Sequence, residues 1–81
     1  MTADHDITEQ SADDRLVAYA AIAMKEKLRV ARLKGRGGWW NPDECNIEQL
    51  RHMLQEHLEK GDVVDVMNFA AMIYARECAD T

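Results

Sequence analysis

The chain is poor in the residues that mark several protein classes. It has one proline and four glycines in 81 residues, and 47% of it is apolar. That excludes a collagen-like chain, and so much apolar material excludes a disordered one. Its two cysteines, Cys45 and Cys78, are too few for a disulfide framework, so a reducing cytoplasm is the expected compartment. No run of about 18 apolar residues occurs, so no membrane span is expected. Residues 1–14 contain no Lys or Arg, so no signal peptide is expected either.

Charge is unevenly spread. The net charge is −5, but residues 1–14 hold five acids (Asp4, Asp6, Glu9, Asp13, Asp14), and the remaining ten acids and ten bases cancel. Lys25–Arg36 holds six of those bases and a single acid, Glu26. The low overall pI therefore hides a basic stretch able to meet phosphate. Duplex nucleic acid is disfavoured, because that stretch is short, the body is neutral and the acidic end repels phosphate.

Hydrophobic spacing predicts an all-α fold, a three-helix unit made of a long helix followed by a helical hairpin. Residues 1–10 read as an acidic flexible tail and 11–81 as one helical domain. Ser11 and Asp14 are spaced as a capping box. Beyond them Val17, Ala21, Met24, Leu28 and Ala31 form an apolar stripe that Gly35 ends. In GRGGWWNP, residues 35–42, regular structure is excluded. Asn41, Pro42 and Glu44 predict the start of a second helix, with Asn46 and Gln49 as another possible start. Its stripe is Ile47, Leu50, Leu54 and Leu58 with Met53 alongside, and Gly61 stops it. Asp62 and Asp65 are spaced to cap a third helix, from Val63 to about Cys78. That helix is apolar nearly all round and needs more cover than two neighbours provide. A chain of this size buries only about 60% of its unfolded surface. Both points predict a homo-oligomer with the third helix at the interface.

Three groups of residues carry possible chemistry. The first is the basic Gly-Trp segment: Arg29, Arg32, Lys34 and Arg36 lead into Gly37, Gly38, Trp39 and Trp40. Guanidinium groups chelate phosphate, glycine backbone lets amides approach an anion, and indole rings stack on bases. Together they suit a nucleotide or another phosphorylated ligand. The plainer role is a basic helix end, a flexible loop and one core Trp beside a partly exposed one. The second group is acidic. Glu56 and Glu59 end one helix of the hairpin, while Asp62 and Asp65 begin the next, a set suited to Mg²⁺ or to capping and solvation. Asn68, one turn on, is a buried amide that either orients a ligand or fixes packing. The third group, Cys45, Glu48, His52 and Glu56, shares a helix face with zinc-type donors but lacks any paired-cysteine or HExxH spacing, so a solvated face is preferred. His57, off that face and near Glu59 and Asp62, is a possible base.

The run Asp62-Val-Val-Asp65-Val-Met-Asn68-Phe69 resembles the ExxDxxN signature of MazG-like nucleoside triphosphate pyrophosphohydrolases, with Asp62 in the Glu place. Gln55-Glu56-His57-Leu58-Glu59 is similar to their EExxE, with Gln55 for the first Glu. The basic stretch running into GRGGWW looks like small MazG-like proteins of phages and prophages. The resemblance covers roughly residues 27–76 and implies an all-helical oligomer that handles nucleotides with Mg²⁺, with Glu56, Glu59, Asp62 and Asp65 as the metal set. The chain departs from that pattern. Its two acidic motifs are only three residues apart, one acid is an amide, and the helix that usually completes the bundle is missing.

These readings give three expectations. The leading one is a phage-type helical protein that sequesters a nucleotide or other phosphorylated ligand without catalysis, as an antagonist of host defence, and requires no cofactor. The second is a compact Mg²⁺-dependent pyrophosphohydrolase. The third is an interaction module that regulates a host protein through exposed apolar surface.

Overall fold

A computed structural model describes residues 8–79, and all of its regular structure is helical. The order is α1 (Glu9–Leu33), α2 (Ile47–Lys60) and α3 (Val63–Ala79). Residues 1–7, most of the expected acidic tail, lie outside the described part. No helix among the described residues is long and apolar enough to cross a membrane.

The first helix starts earlier than the Ser11–Asp14 spacing suggests. Thr8 is the cap, in extended conformation, and its hydroxyl accepts from the Ser11 backbone at 3.1 Å. The Ser11 hydroxyl in turn accepts from the Thr8 backbone at 3.0 Å. Two hydroxyls thus fill both roles of a capping box, with Ser11 as the third helical residue rather than the cap. The other end closes with a Schellman motif. Gly35 adopts φ 81°, its amide donates to Arg32 at 3.0 Å, and the Arg36 amide reaches back to Ala31 at 3.0 Å. The glycine is needed because a left-handed φ costs other residues about 1–2 kcal/mol.

The second helix begins at the later of the two possible starts. Asn46 accepts from the Gln49 amide and Gln49 accepts from the Asn46 amide, both at 2.8 Å. Asn41 instead nucleates a turn. Its side chain accepts from Asp43 at 3.0 Å, and its carbonyl accepts from Glu44 and Cys45. That turn cannot run on into α2, because the Gln49 amide is committed to Asn46 and the Cys45 carbonyl to Arg76. The apolar stripe of α2 runs through Leu50, Met53, Leu54 and His57; Leu58, expected in it, is exposed.

Helix α3 packs against both others, whereas α1 and α2 do not pack directly on one another. The core is small. Leu50 is the one fully buried apolar residue among those described, and two of the most enclosed side chains are polar, Asn68 and Arg76. Asn68 Nδ2 donates to the Met24 carbonyl at 3.3 Å, tying α3 to α1. Arg76 Nη1 donates to the Trp39 carbonyl at 2.8 Å and to the Cys45 carbonyl at 2.7 Å. One guanidinium therefore clamps both ends of the 39–45 loop onto α3.

Candidate functional site

The loop held by Arg76 roofs the space that α1 and α2 leave between them. Leu50, Met53, Phe69 and Met72 floor this cavity of about 610 Å³, with Leu28 and Ala31 on the α1 side. Its rim and roof are the basic Gly-Trp segment: Arg32, Arg36, Gly37, Gly38, Trp39 and Trp40 all line it. The volume is within the range of small-molecule sites, roughly 300–1,000 Å³. Apolar floor, aromatic wall and cationic rim together suit an amphipathic anion with a flat apolar part.

Local structure explains how these groups converge. The Schellman turn at Gly35 reverses the chain so that Arg36 comes back beside Arg32. Gly38 adopts φ 79°, its carbonyl accepts from the Asn41 amide at 3.0 Å, and a Cβ there would collide with the Glu44 side chain. The Arg76 clamp fixes the Trp39 backbone. Trp39 is half-buried, while Trp40 keeps 64% of its surface exposed despite lining the cavity, which leaves an indole open for stacking.

Several expected residues lie elsewhere. Arg29 does not line the cavity. Its Nε and Nη2 donate to the two carboxylate oxygens of Glu26, at 3.0 and 2.7 Å. That pairing lowers the Glu26 carboxyl below its ordinary pKa and raises the Arg29 guanidinium above its own, through the hydrogen bonds first and the charge second. Lys34, the C-cap residue of α1, is also outside the cavity. So is Asn68, which serves helix packing, although its Oδ1 is buried without a hydrogen-bond partner.

The acidic group divides. Glu56 lies 3.3 Å from His52 Nε2, and Glu59 accepts from Gln55 at 3.3 Å, both on the surface of α2. Asp62 and Asp65 turn instead to His57, whose Nδ1 is 3.3 Å from Asp62 and 3.6 Å from Asp65. Their ligand atoms all fall within 4.8 Å of one another. Lys27 Nζ also approaches Asp65, at 3.5 Å. A nitrogen, two carboxylates and a nearby ammonium suit Mg²⁺ poorly, since it prefers oxygen donors throughout. The zinc-type face does not assemble either. Cys45 precedes the helix and lines the cavity, and Glu48 lies 3.7 Å from Arg51.

His57 joins the two poles of the molecule. Its ring lines the cavity and packs on Phe69, with centroids 5.0 Å apart, while its Nδ1 edge faces the carboxylates. Carboxylates accept, which assigns the ring hydrogen to Nδ1 and leaves Nε2 as the second polar atom of the ring. Sequence reasoning named His57 only as a possible base and missed Arg76. The signal was spacing: His57 continues Leu50, Met53 and Leu54, and Arg76 continues Phe69, Met72 and Ile73, each on an apolar stripe.

No protein-family model, curated protein or solved structure matches the chain.

Proposed function

We propose that the chain is a homo-oligomeric helical binding protein that holds a nucleotide, or a similar phosphorylated ligand with a flat ring, without transforming it. Small phage proteins that sequester host signalling nucleotides provide the biological setting for this reading. The observation that carries it is the convergence of Arg32, Arg36, the Gly37–Gly38 backbone and both tryptophans on one apolar-floored cavity. In this reading the ring stacks on indole, the phosphate meets the two guanidiniums and the glycine amides, and His57 Nε2 accepts a hydrogen bond from a ligand N–H or O–H. Isothermal titration against a panel of linear and cyclic nucleotides tests it. Saturable binding of at least one is expected; no binding to any of them, with the oligomer intact, refutes it.

A second reading, the Mg²⁺-dependent pyrophosphohydrolase, draws on the clustering of Asp62 and Asp65 beside the cavity-lining His57. It requires pyrophosphate release from nucleoside triphosphates that depends on Mg²⁺ and disappears in Asp65→Asn. Nucleotide binding that EDTA leaves unchanged, with no pyrophosphate released, decides for the binding protein.

A further inference from the structure

Helix α1 is 25 residues long, about 37 Å at 1.5 Å per residue. Contacts with α3 involve its C-terminal half, through Met24 and Lys27. Every residue from Ala12 to Tyr19 is exposed. Yet residues 16–24 are nine consecutive apolar residues, LVAYAAIAM. Tyr19 and Ile22 expose 69% and 70% of their surface, and they lie on the side of the helix opposite the α3-facing Ala20, Met24, Leu28 and Ala31. With one fully buried apolar residue in the described chain, this surface is a large share of the hydrophobic material the protein has not yet used.

Around Tyr19 and Ile22 the exposed stripe reads Ala12, Arg15, Tyr19, Ile22, Glu26, at alternating spacings of three and four. That is the spacing of a helix–helix seam. The stripe is also self-complementary. About a two-fold axis between Ala20 and Ala21, each position i faces position 41 − i of the other helix. Tyr19 then meets Ile22, and Arg15 meets Glu26, each twice. The flanks agree. Residues 9–14 carry Glu9, Asp13 and Asp14 with no base, and they run beside residues 27–32, which carry Lys27, Arg29 and Arg32 with no acid. A parallel pair would set acid against acid and base against base. Glu26 already binds Arg29, but a carboxylate has lone pairs for a second arginine. Ala18 and Ala23, also symmetry mates, let the backbones approach.

We propose that the occupant of this face is a second copy of the chain, with two α1 helices pairing antiparallel through Arg15, Tyr19, Ile22 and Glu26. This rests on the homo-oligomer reading above and gives it an interface on α1, where Leu16, Val17, Tyr19 and Ile22 are exposed together; α3 exposes Val63 and Tyr74 at separate ends. Isologous contacts of this kind close as a dimer.

The test is the mass in solution, by light scattering, of the full chain and four variants. The unsubstituted protein is expected at twice its 9.3 kDa. Ile22→Lys is expected to be monomeric. Arg15→Glu and Glu26→Arg each set like charges opposite one another and are expected to weaken the dimer by about tenfold. The double variant Arg15→Glu/Glu26→Arg restores opposite charges and is expected to recover it. A mixture of the two single variants should form a heterodimer. The charge-swap set keeps the inference testable even if Ile22→Lys fails to fold. An oligomer unaffected by Ile22→Lys and by the charge swaps places the interface elsewhere and overturns this inference alone. A monomer at about 100 μM for the unsubstituted chain overturns the homo-oligomer reading with it. Nucleotide titration is read out separately and is decided by neither result.

Discussion

Replacing Arg76 by Met removes the clamp while keeping most of the side chain's length and apolar packing. Arg76 is 8% exposed and gives Nη1 to two loop carbonyls, at 2.8 and 2.7 Å. Hydrogen bonds from a charged donor contribute about 1.5–3 kcal/mol each. Removing a desolvated guanidinium returns part of that, because burying the charge carried its own cost of several kcal/mol. A net loss of about 2–3 kcal/mol is the reasonable balance. A domain of this size has a total stability of roughly 4–12 kcal/mol, so the change is large. It corresponds to a fall in Tm of roughly 8–24 °C. The assay is thermal unfolding followed by circular dichroism, at fixed protein concentration because oligomers couple stability to concentration. Tryptophan emission should shift to the red at temperatures where the helices remain folded, since the loop carrying Trp39 and Trp40 loses its anchor. Arg76→Lys, with a compact ammonium in place of the fork, should fall between the two. A Met variant that melts within 3 °C of the unsubstituted protein and keeps its emission maximum would show that the clamp does not hold the loop.

Further expectations separate the basic residues and the helix starts. Arg32→Ala and Arg36→Ala should each weaken nucleotide binding about 10- to 100-fold, as loss of one charge-assisted contact implies. Arg29→Ala and Lys34→Ala, outside the cavity, should change it by no more than about threefold; equal losses at all four positions would mean the segment acts only through its summed charge. Asn46→Ala should cost about 1 kcal/mol and lower Tm by roughly 4–8 °C, because Asn46 is the cap of α2. An unchanged Tm would return the helix start to Asn41.

The three helices and the hairpin were legible because stripes at a period of 3.6 and glycine stops leave little freedom. The helix starts were less so. Thr8 with Ser11 competes with Ser11 and Asp14, and Asn46 with Gln49 competes with Asn41 and Glu44. Each pair has the chemistry of a capping box, and the choice falls to tertiary contacts such as the Arg76 bond to the Cys45 carbonyl. The candidate site was legible as a composition and not as a shape. Arg29 and Arg32 are neighbours in the basic run, but three helical residues turn them about 60° apart, so that Arg32 reaches the cavity and Arg29 reaches Glu26. The carboxylates separate because they lie on either side of a turn. Glu56 and Glu59 project from the body of α2, whereas Asp62 and Asp65 follow the turn at Gly61 and close on His57. Arg76 and His57 sit where an apolar residue would be equally regular, and only the assembled fold shows which polar atoms they meet.

The most direct test of the binding site is nuclear magnetic resonance of the ¹⁵N-labelled protein during titration with a nucleotide that binds in calorimetry. The two indole N–H signals belong to Trp39 and Trp40 alone, and the amides of Gly37 and Gly38 report on the roof between them and the arginines. Saturable shifts of both indoles and both glycine amides, with the same dissociation constant as the calorimetry, are predicted. Shifts confined to the Asp62–Asp65 turn, with the indoles and glycines unmoved at saturation, would contradict the assignment of the cavity as the ligand site.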